Sequence, residues 1–333
     1  MTVPGGGGFR WAGRRVLITG GSGFIGTNAV RHFAAAGADA CNLDLVPPRD
    51  ASQREQWVGC DIRSERDVMD AVTGFGPDTV FHLAARTDLL ERRDPGGYAA
   101  NTRGVHNLLA ALRAAGTVRR LIVASSRMVC KIGYVPRAED DYCPPNLYGE
   151  SKVETERIVR EDNPPFEWII VRPTSIWGPW FGVPYRNFFD AIARGVYRHP
   201  GSADPEKSFG FVGNFVYQLE CLGANPCDEL MGRTIYQCDY PPLRLRSWAD
   251  LIRRELAQPP IKSAPQGLLR LAAMVGDAVE LVAPGRAPLT NFRLNNLLTT
   301  MVYPTEPLER TCGALPHSLP EGVQLTVAWM RQS

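Results

Sequence analysis

The sequence lacks the patterns that mark a metal site or a disulfide framework. Its eight cysteines are scattered, none in a CxxC spacing, and the five histidines form no pair near them. Neither a zinc site nor a set of disulfides is therefore indicated, and no metal ligand is predicted. Reduced thiols of this kind are typical of the cytosol, so a cytoplasmic protein is expected.

A strong charge of one sign and a long apolar run are also missing. Lysine and arginine number 37 against 35 acidic residues, which gives no overall field for nucleic acid or an anionic membrane. The most apolar stretch, residues 267–284, is interrupted by Arg270, Asp277 and Glu280, so an amphipathic surface or lobe-packing helix is expected rather than a membrane span. The glycine-rich residues 1–12 are too polar for a signal peptide and predict a flexible tail.

The most informative stretch runs from Arg14 to Asp44 and has the order strand, glycine loop, helix, strand. Gly20 suits a tight turn, Gly23 suits the close approach of a pyrophosphate, and Gly26 suits close helix packing. The pattern predicts a dinucleotide site at the helix N-terminus. Asp44 ends the second strand, where a carboxylate accepts the ribose hydroxyls of NAD and repels the 2′-phosphate of NADP. NAD is therefore predicted, and NADP is the less favoured cofactor.

Strand and helix patterns alternate up to about residue 171, which predicts an α/β fold with a Rossmann-type doubly wound parallel sheet. We expect an NAD-binding domain over residues 13–175. Residues 176–333 are expected to form mainly a smaller, mixed C-terminal substrate lobe, with a segment at about 205–240 returning to the first domain. Ligands of such sheets lie outside the carboxyl ends of the strands.

A proton-transfer set follows from three polar residues. Ser125 and Ser126 lie at the carboxyl end of a predicted strand, and Tyr148 and Lys152 are four apart on one helix face. The ordinary pKa of tyrosine, near 10, is too high for a base at neutral pH, and a nearby ammonium would lower it. Ser126, Tyr148 and Lys152 are the predicted catalytic set for interconverting an alcohol and a ketone. The alternative is that Tyr-x-x-x-Lys is a solvated helix face.

The chain carries the motifs TGGSGFIG, HLAA, YGESK and RPTSIWGP. Their order and spacing resemble those of the extended short-chain dehydrogenase/reductase superfamily, specifically the NAD-dependent epimerase/dehydratase family. The resemblance is firm over about residues 14–220 and loose beyond. It implies that Tyr148 is the acid/base, that Lys152 contacts the nicotinamide ribose and lowers the tyrosine pKa, and that Ser126 bonds the substrate. It also implies a homodimer.

Two sets of binding residues follow from these motifs and strand ends. The predicted cofactor contacts are Gly20, Gly23, Phe24, Ile25, Gly26, Asp44, Asp61, Ile62, Leu83, Ala84, Ala85, Asn101, Tyr148, Lys152 and Pro173. The predicted substrate contacts are Arg86, Ser126, Ser175, Lys207 and Arg293. Lys207 and Arg293 are equally well explained as ordinary surface charges. His82 is expected to be a packed strand histidine, and Cys130 a packing residue.

Departures from the family pattern reduce the number of reactions that the sequence supports. Where 4,6-dehydratases of the family carry an Asp-Glu pair, and decarboxylases keep the Glu, this chain has Arg127 and Met128. Both reactions are therefore disfavoured. The predicted function is an NAD-dependent epimerase or ketoreductase/dehydrogenase acting on a nucleotide-linked sugar. Two alternatives stay open: a hydroxysteroid dehydrogenase-like oxidoreductase, and a non-catalytic NAD-binding sensor or scaffold.

Overall fold

The structure is a computed structural model that describes residues 10–89, 91, 93–225, 228–283, 287 and 289–332. Its strands are β1 (Arg15–Thr19), β2 (Asp39–Asp44), β3 (Trp57–Gly59), β4 (Thr79–His82), β5 (Arg120–Ala124), β6 (Glu167–Pro173), β7 (Ser175–Trp177), β8 (His199–Pro200), β9 (Glu206–Lys207), β10 (Phe209–Phe211), β11 (Thr234–Gln237), β12 (Leu243–Arg244) and β13 (Ser263–Ala264). Its helices are α1 (Phe24–Ala35), α2 (Glu65–Phe75), α3 (Arg103–Ala115), α4 (Leu147–Asp162), α5 (Tyr185–Ala193), α6 (Val212–Ala224), α7 (Leu245–Glu255), α8 (Gln266–Val282), α9 (Asn291–Leu298), α10 (Glu306–Cys312) and α11 (Leu319–Gln332).

Seven of these strands form one sheet, in the order β11-β6-β5-β4-β1-β2-β3, and every neighbouring pair is parallel. The chain builds outward from β1 to β3, then crosses back and places β4 on the other side of β1. The order therefore reverses between β1 and β4, which is where open sheets of this type bind their ligands. The predicted Rossmann-type doubly wound sheet is confirmed.

Apart from the exposed edge strand β3, the strands of this sheet are largely buried on both faces, which explains their continuous apolar sequences. Successive side chains point to opposite faces, so Val16 and Ile18 pack in the core formed with α1 and α6, whereas Leu17 packs in the core formed with α2 and α3. The two helical layers therefore hold the sheet rigid, and the loops at its carboxyl edge are supported from both sides.

The helical segment between Asp94 and Gly116 is divided in two. Residues Pro95–Asn101 form a 3₁₀ helix, α3 begins at Arg103, and the two are separated by a kink at Thr102. The adjacent glycines at 96 and 97 have poor helix propensity, and Asp94 caps the first turn by accepting a bond from the Gly96 amide. The kink turns the preceding segment toward the carboxyl edge of the sheet.

The flexible tail predicted for residues 1–12 extends too far along the chain. Residues 1–9 lie outside the described residues, but Trp11 is only 2% exposed. Its indole nitrogen donates a 2.9 Å hydrogen bond to Glu220, and its ring packs edge-on against Phe33 at 4.8 Å. Trp11 is therefore part of the core, because it fills the space between α1 and α6.

The apolar stretch predicted as a surface or lobe-packing helix is α8. Only Ala273 and Gly276 of this helix are buried, whereas Leu271, Val275 and Leu281 are more than half exposed. Across the described part of the chain, no helix combines the length and apolarity that crossing a bilayer requires.

After β6 the chain alternates between short strand pairs and the main sheet. Strand β7 pairs with β10, β9 with β12 and β8 with β13, and β11 returns to the main sheet beside β6. A cluster of rings that includes Trp177, Phe189 and Trp248 fills the interior of this region. The loss of a regular pattern after residue 174 is explained by these short elements.

Candidate active site

The glycine loop between β1 and α1 lies against the end of β4. Gly20 has φ of +74°, and a Cβ there would lie 2.6 Å from the Ala84 amide nitrogen. A Cβ on Gly26 would lie 2.1 Å from the Gly20 carbonyl oxygen. Helix α1 begins at Phe24 with no side-chain cap, so the N–H groups of its first turn face outward for an anion. This loop fits a dinucleotide pyrophosphate.

Asp44 lies at the carboxyl end of β2, next to this loop. One carboxylate oxygen accepts a 3.0 Å hydrogen bond from the Ser22 amide, and the other accepts a 3.1 Å bond from the Val46 amide. An ionised carboxylate has about four acceptor positions, so two hydroxyl groups of a ribose could still bind. The position and remaining acceptors of Asp44 fit the adenosine ribose of NAD.

The predicted adenine contacts follow β3. Asp61 binds the Arg63 guanidinium through both carboxylate oxygens, at 2.9 and 2.7 Å, and this bonding holds the Asp61 pKa below its usual value. Ile62 is buried, and its side chain would be 2.8 Å from a Cβ on Gly104 of α3. The small residue at 104 therefore lets the segment after β3 lie close to α3.

The three residues predicted to be catalytic come together at the carboxyl edge of the sheet. Ser126 follows β5, and its hydroxyl acts on the side chain of Tyr148, which lies in the first turn of α4. Asn146 fixes the start of α4, because its side chain accepts a 2.9 Å bond from the Gly149 amide. Lys152 lies one turn further along the same helix. All three side chains are at least nine-tenths buried.

The electrostatics of this cluster differ from the prediction in one respect. Burial raises the pKa of Tyr148, opposed by the nearby Ser126 hydroxyl and the positive charge of Arg127. Lys152 instead donates a 2.8 Å bond to the Ala124 carbonyl, and burial lowers its pKa to about 8. The positive charge that acts on the tyrosine is therefore that of Arg127, and the protein by itself does not favour the phenolate.

Glu156, which the sequence did not single out, organises the space behind these residues. It is fully buried and accepts a 2.6 Å bond from Ser125 and two 2.8 Å bonds from Arg172. Tyr142 donates a further bond of 3.0 Å. Because Ser125 is turned toward Glu156, Ser126 is the serine that serves Tyr148. Glu156 lies four residues after Lys152 on the same helix face, and this spacing was the sequence signal that could have identified it.

Asn101 and His82 are both committed to protein contacts. The Asn101 side chain accepts from the Arg86 amide at 2.8 Å and donates to the Arg86 carbonyl at 3.0 Å and to Ser151 at 2.9 Å. It therefore positions the loop after β4. His82 is buried and shares a 2.7 Å hydrogen bond with Thr19, and burial lowers its pKa to about 3, so it is a neutral, packed histidine as expected.

Of two predicted substrate contacts, Arg86 has hydrogen-bond partners within the protein, whereas the buried Ser175 hydroxyl has none among the described residues. The Arg86 guanidinium bonds Asp88 at 2.7 Å and the Gly97 carbonyl at 2.9 Å, within its own loop. Ser175 is 1% exposed and lies next to the hydroxyl of Tyr185. In this arrangement Arg86 stiffens the loop that follows β4, while Ser175 lies beneath the site.

The other two predicted contacts belong to the second half of the chain. Lys207 is fully buried and donates to the carbonyls of Asn296, at 2.5 Å, and of Thr299. Arg293, in α9, donates to the Ala287 carbonyl. The two cations therefore tie α9 and its neighbouring segments together, and the interpretation of Lys207 as a surface charge is wrong because its side chain has no exposure.

Arg127 was considered at first only as a missing acid, yet it lies at the centre of the site. It is 6% exposed, and its positive charge acts on Tyr148, Tyr185, Tyr303 and Lys207. Its Nη1 atom has no hydrogen-bond partner among the residues that the structure describes. Its position directly after the predicted serine was visible in the sequence, but its burial was not.

The buried Lys207 leads to a pH-dependent stability. Burial and then the charge of Arg127 lower its pKa from 10.5 to about 7. Unfolding therefore takes up a proton between these two pH values, and Lys207 makes the free energy of unfolding rise with pH in that window. We expect the free-energy difference between wild type and Lys207→Met to be flat below about pH 6 and to rise by up to about 1.4 kcal/mol per pH unit above pH 7. Urea denaturation of both proteins at several pH values measures this difference, and a difference independent of pH would contradict it.

Three features define a dinucleotide-binding protein of the short-chain dehydrogenase/reductase class. They are the parallel sheet, the glycine loop at its switch point and the buried cluster of Ser126, Tyr148 and Lys152. The profile of the NAD dependent epimerase/dehydratase family matches residues 16–216. The chain belongs to that family, as the motifs predicted. Its members are NAD-dependent epimerases and dehydrogenases or reductases, which makes the chain an oxidoreductase or epimerase.

Individual relatives differ in the substrates that they are named for. The chain is 32% identical to a 3-beta-hydroxysteroid dehydrogenase of Mycolicibacterium neoaurum over 257 residues, which are 71% of this chain and 68% of the relative. It is 28% identical to the N-acetyl-alpha-D-glucosaminyl-diphospho-ditrans,octacis-undecaprenol 4-epimerase of Escherichia coli O157:H7, over 94% of each chain. The solved epimerase Mth375 of Methanothermobacter thermautotrophicus superimposes with a TM-score of 0.73 at 21% identity, covering 97% and 93% of the two chains.

Proposed function

We propose that the protein is an NAD-dependent epimerase or ketoreductase/dehydrogenase that acts on a nucleotide-linked sugar. The observation that carries this proposal is the buried pair of Ser126 and Tyr148 at the carboxyl edge of the sheet, with the positive charge of the buried Arg127 acting on the tyrosine. A sugar hydroxyl or ketone can bond both hydroxyls of this pair, whereas polar and charged walls suit a polyhydroxylated, anionic substrate.

In the proposed reaction, Tyr148 takes the hydroxyl proton when the alcohol is oxidised and returns it when the ketone is reduced. Ser126 holds the reacting oxygen in line with the phenol. The cofactor, when bound, supplies the acceptor or donor of hydride. Lys152, which donates to the Ala124 carbonyl, would bond the ribose next to the nicotinamide. Epimerisation requires oxidation of the alcohol and reduction of the ketone in one turnover, whereas a net oxidation or reduction requires only one of these steps.

A hydroxysteroid dehydrogenase-like activity is the second candidate, favoured by the M. neoaurum relative. One observation weighs against it, because the rings of Trp177, Phe189 and Trp248 pack against one another in the interior and form no open apolar surface of their own. Screening nucleotide sugars and sterols side by side, by cofactor absorbance and product analysis, separates the two. Turnover of sterols alone would overturn the sugar proposal, and tight NAD binding without any turnover would favour a sensor or scaffold.

The preference for NAD is proposed to depend on Asp44. Replacing it by serine removes the charge that would repel a 2′-phosphate while keeping a short polar side chain. We expect Asp44→Ser to shift the ratio of the NAD and NADP dissociation constants at least about tenfold toward NADP, which corresponds to about 1.4 kcal/mol. Fluorescence titration measures both constants. Asp39→Asn, at the exposed start of the same strand, is the matched control and should leave the ratio unchanged. An unchanged ratio in Asp44→Ser would contradict the assignment.

We further propose a cytoplasmic homodimer, in which residues 176–333 contribute most of the substrate contacts and residues 13–175 most of the cofactor contacts. The dimer is expected from the family through the helices near Asn101 and Tyr148. Sedimentation equilibrium tests it directly, and a protein that stays monomeric at micromolar concentration would contradict it.

A further inference from the structure

Arg127 is a buried cation with an unused hydrogen-bonding nitrogen. Its Nη1 atom is buried and unpartnered within the described chain, and no Asp or Glu oxygen of the described residues lies within 4.0 Å of its nitrogens. Arg172, which is equally buried, shows the usual arrangement, since both of its bonding nitrogens reach Glu156 at 2.8 Å. The contrast indicates that the counterion of Arg127 is supplied from outside the chain.

Among the described residues, the groups on which the charge of Arg127 acts carry no negative charge that could take this role. Its charge acts on the hydroxyl groups of Tyr148, Tyr185 and Tyr303 and on the ammonium of Lys207. Lys207 already donates to two main-chain carbonyls, so the Arg127 guanidinium is the cation with more N–H donors left for a ligand. A buried, uncompensated charge is costly, and an anion that binds beside it is correspondingly stabilised.

The position of Arg127 fixes where that anion must be. It directly follows Ser126, and its neighbour Met128 packs against Tyr148, so the positive charge of Arg127 acts on the hydroxyl that exchanges its proton. A diphosphate, several bonds away from a reacting sugar carbon, is poorly placed to reach it. A planar guanidinium matches the two oxygens of a carboxylate, which makes a carboxylate the best fit.

We propose that Arg127 binds a carboxylate of the substrate, attached close to the carbon whose hydroxyl Tyr148 serves. The inference rests on the proposed function and narrows it. Among nucleotide-linked sugars, it selects a uronic acid over the corresponding neutral hexose. A short 3-hydroxy acid presents the same chemistry without a nucleotide and is the second source of such a carboxylate.

Calorimetric titration of the NADH-loaded protein with UDP-glucuronic acid and with UDP-glucose tests the proposal without requiring turnover. We expect the wild type to bind the acid about 50-fold more tightly, the contribution of a charge-assisted hydrogen-bonded pair. Arg127→Gln should abolish this preference, and Arg127→Lys, which keeps the charge and loses the planar fork, should reduce it. Lys131→Gln, which removes an exposed cation from the following loop, is the matched control and should keep the full preference.

The outcomes separate this proposal from the proposed function. If the wild type binds both sugars equally, or if Arg127→Gln weakens both equally as loss of a diphosphate contact would, the carboxylate assignment is wrong and the sugar proposal stands. If neither sugar binds, the sugar proposal fails. The same titration with 3-hydroxybutyrate and its amide then decides the assignment: a preference for the acid that is lost in Arg127→Gln supports it, and equal or absent binding overturns it. Arg127→Lys provides the same comparison should the glutamine variant fail to fold.

Discussion

Tyr148→Phe is expected to lower kcat by about 10³-fold, within the range that a positioned acid/base contributes, while the dissociation constant of NAD changes less than about threefold. The substitution removes only the hydroxyl. The ring keeps its packing against Tyr98, 6.1 Å away between centroids, and the start of α4 is unaffected. Steady-state kinetics on the substrate found by screening, together with a cofactor titration, measures both quantities.

The matched control for this variant is Tyr134→Phe. Tyr134 also has a hydrogen-bonded hydroxyl, 2.7 Å from Asp141, but it lies outside the cluster around Ser126. Its loss should change kcat by less than about twofold, since no transition-state contact is removed. A Tyr148→Phe variant with near-normal turnover would exclude this tyrosine as the acid/base.

Glu156→Gln is expected to reduce the free energy of unfolding by about 3–5 kcal/mol, because it leaves the buried guanidinium of Arg172 without a counterion. Glu156 is fully buried and Arg172 is 2% exposed, so water cannot replace the lost charge. The bond that Ser125 donates to Glu156 also loses its charged acceptor. Equilibrium denaturation in urea measures the loss.

Two comparisons make this prediction specific. Glu154→Gln removes an exposed carboxylate from the same helix, 3.9 Å from Arg157, and should cost no more than about 1 kcal/mol. Combining Glu156→Leu with Arg172→Met removes both charges and should be less destabilising than Glu156→Gln alone. A Glu156→Gln protein as stable as the Glu154→Gln protein would show that the buried pair contributes little.

The first half of the fold could be predicted because its signals are local. The strand from Arg15 to Thr19, the glycine loop and the end of β2 at Asp44 each depend on a few neighbouring residues. Features that depend on distant contacts were missed. Trp11 was assigned to a tail because its partner Glu220 is 209 positions away, and no sequence pattern connects them.

The catalytic residues of the site could also be predicted because their signals are local, whereas their contacts with distant residues could not. Ser126, Tyr148 and Lys152 follow from spacing, and the structure brings them together at one sheet edge. The charges around them are set by tertiary burial. Lys152 turned out to bond a main-chain carbonyl, and Arg127 to be a buried cation beside the tyrosine. Sequence spacing shows which residues share a face, whereas burial decides their pKa values and partners.

The central claim is that hydride moves between the cofactor and a sugar carbon. The most direct measurement uses a nucleotide sugar deuterated at the reacting carbon, mixed with the NAD-loaded protein, with cofactor and products analysed by mass spectrometry. The account predicts deuterium on the nicotinamide or returned to the same carbon of the product sugar. Complete exchange of that deuterium into solvent, or no reaction with any nucleotide sugar, would contradict it.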